Sequence, residues 1–190
     1  MKRAGAVTNT LGTQDFELLT AKAREMGETT VFSASQAAGA IEQMGLAGLS
    51  TREIIEALPG ALQLASAAQV GISQAADVAA KTMRAFGADA KDLTHINDVL
   101  VSTFTRSNTD LSQLAEAMKH VAPVSKGLGV SIEDTAAALA KMSDAGFQGS
   151  MAGTSLRNIF MRLSGAVPEA TSALKKAGIE TLDSSGKMRC

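Results

Sequence analysis

Apolar residues recur at spacings of three and four over most of this chain. A run between residues 93 and 104 shows the pattern best, with Leu93, Ile96, Leu100 and Phe104. Such spacing places the side chains on one face of an α-helix. Strand-like alternation is hard to find before residue 178. The pattern predicts an all-α fold of serial short amphipathic helices.

Four stretches of the chain open on Ser, continue through residues rich in Ala and Met, and close on Gly. They begin at Ser35, Ser73, Ser112 and Ser131. The first three starts lie 38 and 39 residues apart, which is room for two short helices and their turns. The fourth follows the third after only 19 residues. We therefore expect helical hairpins in series that do not form a uniform array. Ser residues are the expected N-caps, with either Ser33 or Ser35 as the cap of the first.

Several local signals predict where helices begin and end. Thr13 is a candidate N-cap, and the Ser50–Glu53 segment has the form of a capping box. Pro59-Gly60 should break or kink the helix that follows, because Pro lacks the amide donor and crowds the preceding turn. A later helix is expected to end at Pro123, before a turn at 127–129.

The C-terminal part of the chain changes texture. Pro168 suits the first position of a last short helix, with Gly178 as its stop. Beyond it, a turn at 183–186 between extended residues predicts a small β-hairpin. The chain ends where the second strand would form, which suggests truncation. The predicted organisation is a flexible N-terminal segment (1–12), a helical domain (13–178) and an extended or β-hairpin tail, truncated (179–190).

Composition alters this picture in one respect. Apolar residues make up 45% of the chain, but aromatic residues only 3%, and Ala and Met supply much of the rest. Small side chains bury little area, so an isolated hairpin should be marginal and should need neighbouring repeats or other copies. The methionines at or near equivalent points of the repeated helices are interpreted as core packing. A Met-lined face for partner helices or a chaperone stays open. These residues are Met44, Met83, Met118 and Met142.

Charge and cysteine usage exclude several classes of protein. Lys and Arg total 18 against 19 Asp and Glu, with no basic stripe, so direct nucleic-acid binding is not expected. Cys190 is the single cysteine, which leaves no disulfide framework or metal-ligand spacing. The N-terminus lacks the apolar stretch of a secretory signal. Ala57 to Val70 is the most membrane-like segment, but polar residues and Pro59 interrupt it.

Candidate chemistry is sparse. His95 and His120 lie far apart, and Glu116, four residues before His120, is the one acidic partner at helical spacing. This pair is read as a surface interaction, because a metal site needs further ligands. Asp144 and the pair at 133–134 are read as helix surface and N-terminal cap. No Ser, Thr or Cys has a His base placed beside it. We predict no catalytic, cofactor-binding or metal residues, no cofactor, and no enzymatic activity.

Specific stretches of the sequence resemble the core region of phage tail tape measure proteins. Their order and spacing cover nearly all of residues 13–188. The stretches lie at 29–38, 47–50, 57–65, 122–129, 144–157 and 182–187.

The resemblance implies a structural phage or prophage tail protein involved in tail tube assembly and length determination. Its implied partners are other copies of the chain, tail tube proteins and tail assembly chaperones, with membrane contact only during ejection. The implied location is the lumen of the virion tail, and the host cytoplasm during assembly. Members of that family are usually much longer and carry extended helical regions. The chain is therefore interpreted as a core segment, a prophage remnant or a split gene product.

Two other interpretations stay open at this point. A free-standing helical-repeat module that binds protein would need a concave surface and polar capping repeats. A membrane-perturbing helical protein would draw on residues 57–70 and on Ala- and Gly-rich helices that pack closely.

Overall fold

The computed structural model describes residues 1–189; Cys190 lies outside the described residues. Over that range the chain forms ten α-helices and one short 3-10 helix, and the β structure is a single antiparallel bridge between Leu182 and Met188. The all-α prediction is confirmed. The α-helices are α1 Lys2–Val7, α2 Gln14–Thr29, α3 Ala34–Leu46, α4 Thr51–Ala68, α5 Ile72–Phe86, α6 Leu93–Thr105, α7 Leu111–Leu128, α8 Ile132–Asp144, α9 Gly149–Leu163 and α10 Pro168–Lys176, with the 3-10 helix at Ala90–Asp92.

The helices belong to two compact units. Unit 1 contains residues 1–84 and 88–101, and unit 2 contains residues 85–87 and those from 102 onward. The division falls inside α6, between Val101 and Ser102. The sequence-based domain boundaries stay predictions.

Unit 1 is organised around α3, which packs on α1, α2 and α4. Ile41 and Met44 of α3 are fully buried, as are Leu19 of α2 and Leu58 of α4. Much of the remaining core is Ala, as the composition predicted. The N-terminal residues 1–12 include α1, whose Ala4 is buried in the same core.

Unit 2 is organised around α7, which packs most extensively on α9 and also on α8. Leu111 and Leu114 of α7, Leu139 of α8 and Leu156 of α9 are buried there. By contrast, α10 contains no buried residue. The buried apolar residues of unit 2 therefore lie mostly in three helices, α7, α8 and α9.

Of the two caps considered for the first repeat, Ser33 is the N-cap and Ser35 is not. Ser73 and Ser112 are not N-caps either, which corrects the prediction made for them. Each lies two positions beyond the cap residue and is followed by Gln at the third helical position. The residue type at the cap position differs between the repeats. The cap position itself recurs at the same distance before the Ser and Gln. The pairs of cap and Ser are Ser33 with Ser35, Gly71 with Ser73, and Asp110 with Ser112.

Other N-cap predictions have mixed outcomes. The capping box of α4 is confirmed, since Ser50 and Glu53 exchange side-chain and backbone hydrogen bonds. The Ser131 hydroxyl accepts a hydrogen bond from the Asp134 amide at the start of α8. Thr13 occupies the cap position of α2 but makes no cap hydrogen bond, because its hydroxyl donates to the Thr10 carbonyl instead.

The two helices with an internal proline, α4 and α7, both continue past it. α4 runs through Pro59 to Ala68, and α7 runs through Pro123 to Leu128, so a break at Pro59 and an end at Pro123 are wrong. The alternative of a kink at Pro59 stays a prediction. A proline inside a helix costs about 3 kcal/mol. Both helices bury side chains on either side of the proline, and this packing offsets the cost. The turn expected at 127–129 is reduced to Gly129, which adopts a left-handed conformation after α7.

The C-terminal predictions fare better. Pro168 is the first residue of α10, and Gly178 follows that helix with a φ of 70°. The Asp183 amide donates to the Lys187 carbonyl across the predicted turn. The Met188 amide donates to the Leu128 carbonyl, which anchors this segment to the end of α7.

Candidate functional site

Titratable side chains are dispersed over the described part of the chain. Within residues 1–189, no three His, Cys, Asp or Glu side chains are grouped so that they could hold a metal ion. His95 lies exposed on α6, in unit 1, and His120 lies on α7, in unit 2. Each unit therefore contains one of the two histidines.

The pair formed by Glu116 and His120 is part of a small surface network on α7. Glu116 accepts a hydrogen bond from Lys119 at 2.8 Å, and its other oxygen lies 3.6 Å from Nε2 of His120. The hydrogen bond from Lys119 holds the pKa of the exposed Glu116 carboxylate below its ordinary value. Partners at these spacings stabilise an exposed helix only weakly. The geometry agrees with the predicted surface interaction.

Asp144 has a role that the sequence did not reveal. Its carboxylate accepts a hydrogen bond of 2.9 Å from the Asn108 amide, in the turn before α7. The Gln148 side chain donates to the carbonyl of the same Asn108. The turn between α6 and α7 is therefore tied to the turn between α8 and α9 by two hydrogen bonds on one residue. No local signal marks this pairing, because the partners lie 36 and 40 residues apart.

The crossing of α7 and α9 depends on a glycine. A Cβ atom at Gly153 would lie 2.7 Å from Cα of Ala117, and closer still to the Ala117 carbonyl oxygen. Only a residue without a side chain lets the two backbones approach this closely. The contact is an example of the close approach that small residues permit between helices.

Three of the four methionines singled out by the repeat lie in the cores of the two units. Met44, Met83 and Met118 are buried, while Met142 is half-buried on α8. Burial supports the core-packing interpretation for those three. The exposed methionines are others, Met151 and Met161 on α9.

Unit 1 has an open groove beside α2 and α4. It has a volume of about 580 Å³ and is lined by Met26, Phe32, Pro59, Leu62 and their neighbours. None of its lining residues is charged. This groove suits an apolar contact better than a charged ligand.

A second cavity, of about 480 Å³, lies between the end of α9, α10 and the C-terminal turn. Its walls combine apolar residues with a salt bridge of 3.1 Å between Arg189 and Glu180. In the adjoining turn, hydrogen bonds from the Ser185 hydroxyl and from the Lys187 and Ser185 backbone amides hold the pKa of exposed Asp183 low. The hydrogen bonds organise the turn, so the ionised carboxylate has a structural use there.

α9 exposes several large apolar side chains. The exposed side chains of α9 include Met151, Ile159 and Met161 and the two arginines of the helix, Arg157 and Arg162. Met151 is 53% exposed and Ile159 46%, and Phe147, 45% exposed, precedes the helix. Both arginines are exposed, and neither has an ion-pair partner among the described residues. A helix with apolar residues on both sides generally packs against something on both sides.

The segment regarded as most membrane-like, residues 57–70, lies mostly in α4, where Leu58 and Leu64 are fully buried. Among the helices of residues 1–189, none has the length and apolar content needed to cross a membrane.

Comparison with known proteins places these features in a family. Residues 20–189 match the model of a family described as phage-related minor tail protein. The chain is 36% identical over 185 residues to the tape measure protein of Pneumococcus phage Dp-1, which covers 97% of this chain and 16% of that protein. It is 37% identical over 168 residues to the probable tape measure protein of Escherichia phage P2, covering 88% of this chain and 21% of the relative. No solved structure matches.

The chain therefore spans about a sixth and a fifth of the length of these relatives. The matches extend over both units and support the resemblance seen in the sequence. With 170 of its 190 residues inside the family match, this chain belongs to the phage-related minor tail protein family and is a structural phage tail protein.

Proposed function

We propose that this chain is a core segment of a tape measure protein and takes part in tail tube assembly and length determination. The observation that carries the proposal is the similarity to two tape measure proteins over 97% and 88% of the chain. An all-helical fold with cap positions that recur every 38 or 39 residues supports it, because repeated helical units suit structural roles.

The proposed role is structural and not enzymatic. The dispersed titratable groups and the absence of a metal-binding cluster within residues 1–189 are compatible with it. Its proposed partners are other copies of the chain, tail tube proteins and tail assembly chaperones, without direct nucleic-acid binding. We place it in the lumen of the virion tail, and in the host cytoplasm while tails assemble, with membrane contact only at ejection.

One repeat offers a direct test of this function. In the phage or prophage that encodes the chain, residues 71–109 are deleted in frame, which joins the end of α4 to the Asp110 cap of α7. At 1.5 Å per helical residue, 39 residues supply at most about 60 Å of length. We expect tails shortened by no more than this amount, or a failure to assemble tails, measured by electron microscopy of negatively stained particles.

The control is a synonymous recoding of the same segment, which should leave tail number and length unchanged. Deletion strains that produce normal numbers of tails with normal length would contradict the proposal.

A further inference from the structure

The helices that follow the three recurring cap positions all end in the same way. We call α3, α5 and α7 the repeat helices. Within two residues of its end, each is followed by a glycine with positive φ. The residue after that glycine donates its amide to a carbonyl five residues back, which is the bond of a Schellman motif. The three repeat glycines, with φ of 79°, 65° and 72°, are Gly48, Gly87 and Gly129.

Basic side chains lie over the first two of these glycines. A Cβ atom at Gly87 would meet Nζ of Lys126 and would lie 2.7 Å from its Cε. A Cβ atom at Gly48 would lie 2.9 Å from Nη2 of Arg84. The last carbonyl groups of a helix have no intrahelical partner and carry a partial negative charge. A cation at this place therefore stabilises the end of the helix.

The two cations occupy the same position in the repeat helix that comes next along the chain. Arg84 stands three residues before Gly87, and Lys126 stands three residues before Gly129, each in the last turn of its helix. Each cation thus lies on the glycine that ends the repeat helix before its own. In the first repeat helix the corresponding residue is Gly45, and the series has no earlier glycine to be covered.

The third repeat glycine has a partner of another kind. Gly129 is covered by the stem of Lys187, whose Cδ would lie 2.8 Å from a Cβ atom at the glycine. The Met188 amide holds this C-terminal segment in place by donating to the Leu128 carbonyl. A glycine of this conformation does not attract a cation by itself, since those after α8 and α10 have no neighbour within 4 Å of a Cβ atom. These are Gly146 and Gly178.

From these contacts we infer that a basic side chain of one repeat closes the end of the repeat helix before it, and that Lys187 closes the last. The contact has one direction, from the residue three before a repeat glycine to the preceding repeat glycine. Because Lys187 takes the place of such a residue, residues 182–188 cap the series, as terminal elements do in other repeat proteins. The inference concerns the folded chain and does not depend on the proposed tail function.

Amide hydrogen exchange, followed by NMR on the purified chain, tests each contact at the helix end that it closes. The K126M substitution removes the charge of Lys126 and keeps an unbranched side chain. Exchange at the Ala88 amide, which bridges the end of α5, should become about two- to fivefold faster, the effect expected for loss of a cation at a helix C-terminus. K126R keeps the charge and should retain the wild-type rate.

The other two contacts have reporters of their own. R84M should accelerate exchange at the Leu49 amide, which bridges the end of α3. K187A removes the side-chain stem and should accelerate exchange at the Val130 amide, which bridges the end of α7. An unchanged rate at Val130 in K187A would overturn the capping role of the C-terminal segment.

The matched control is K141M. Lys141 lies in the last turn of α8, and the glycine that ends that helix is uncovered. K141M should therefore alter exchange only at its own helix end, at Phe147, and leave Ala88 unchanged.

Two results would overturn the inference. If K126M accelerates exchange at Val130 but not at Ala88, Lys126 acts on its own helix and not on the preceding one. If K126M accelerates exchange at Ala88, Val130 and Phe147 equally, the substitution lowers the stability of the whole fold and the contact has no local effect.

Discussion

Two glycines make room for neighbouring helices in different ways, one in each unit. Gly153 of α9 lets the backbone of Ala117 on α7 approach, and the nearest atoms are the Cα, carbonyl carbon and carbonyl oxygen of Ala117. Gly60 of α4 makes room for a side chain, and the amide nitrogen of Asn97 on α6 would lie 2.9 Å from a Cβ atom placed there. The first contact is purely one of packing, and the second places a polar group in the core of unit 1.

The difference lies in how the buried atoms are satisfied. Asn97 is 4% exposed, and neither its side-chain nitrogen nor its oxygen has a hydrogen-bond partner in the structure. An unsatisfied buried polar group costs about 1 to 3 kcal/mol. Close packing at Gly153 leaves no comparable penalty. Close packing at a glycine thus stabilises unit 2. In unit 1, by contrast, the unsatisfied amide of Asn97 lowers the stability that packing at Gly60 provides.

The largest expected effect is at Gly153. Replacing it with Leu (G153L) should lower the free energy of unfolding by about 3 kcal/mol, the upper end of the range for overpacking, because the new side chain meets backbone that cannot move aside. For a chain of this size, that is a decrease in Tm of about 6 to 12 °C in a thermal melt.

Gly127 provides the control for this substitution. Gly127 lies in α7, the helix on which α9 packs, and a Cβ atom there would have no neighbour within 4 Å. G127L should therefore leave Tm unchanged or raise it slightly, as the helix propensity of Leu exceeds that of Gly. Equal losses in the two variants would show that Gly153 has no special packing role.

A smaller effect of opposite sign is expected at Asn97. Leu has a similar branched shape but no polar atoms, so N97L should raise the free energy of unfolding by about 1 kcal/mol. Chemical denaturation with urea measures the change. A decrease in stability in N97L would mean that the amide is satisfied, for instance by a buried water molecule.

A double-mutant cycle with Gly60 distinguishes these cases. G60A should be destabilising while Asn97 is present, because the added methyl group meets the amide nitrogen. In the N97A background that loss should shrink, giving a coupling of about 0.5 kcal/mol or more. Independent effects would indicate that the two residues do not share this contact.

An effect similar in size to that of N97L is expected at the N-terminal cap of α4, the helix that contains Gly60. S50A should cost about 1 kcal/mol at neutral pH, through the loss of the cap hydrogen bond. The hydrogen bonds from the Ser50 hydroxyl and amide hold the pKa of Glu53 below its ordinary value of 4.5. A lowered pKa in the folded state stabilises the fold above the ordinary value, and the stabilisation is lost as the pH falls through the folded pKa.

The cost of S50A should therefore decrease as the pH is lowered below 4.5. Urea titrations of wild type and S50A at neutral and acidic pH give the measurement. The same titrations of S131A measure the loss of a cap in the other unit, at the start of α8. If S50A costs the same stability at every pH, the cap hydrogen bond does not depend on the ionisation of Glu53, and the prediction is wrong. Effects of S50A and N97L that add would show that cap and core amide act independently.

Much of the fold followed from local patterns in the sequence. Apolar spacing identified the helices, and the Ser50–Glu53 box and Pro168 identified two helix starts. Pro59 and Pro123 misled because their local cost is outweighed by packing that involves residues distant in the sequence. Ser73 and Ser112 lie two residues beyond the true cap positions. The residue type at those positions differs in each repeat, so the recurring Ser was mistaken for the cap.

The features of the candidate surfaces were less accessible. The pairing of Asn108 with Asp144 joins residues 36 positions apart, and no periodicity reports it. Asn97 could have been noticed, because it lies four residues after Leu93 and three before Leu100, on the apolar face of α6. The exposure of the apolar residues of α9 could not have been predicted, since helical spacing alone does not distinguish an exposed apolar side chain from a buried one.

The recurring cap positions have an evolutionary consequence. Ser33, Gly71 and Asp110 stand 38 and 39 residues apart, each with Ser and Gln at the same places in the helix that follows. Gain or loss of one whole repeat leaves every remaining helix start intact. A change by another number of residues within a repeat moves apolar side chains off the buried face of a helix. Lineages of this chain should thus change length in whole repeats more readily than by single residues.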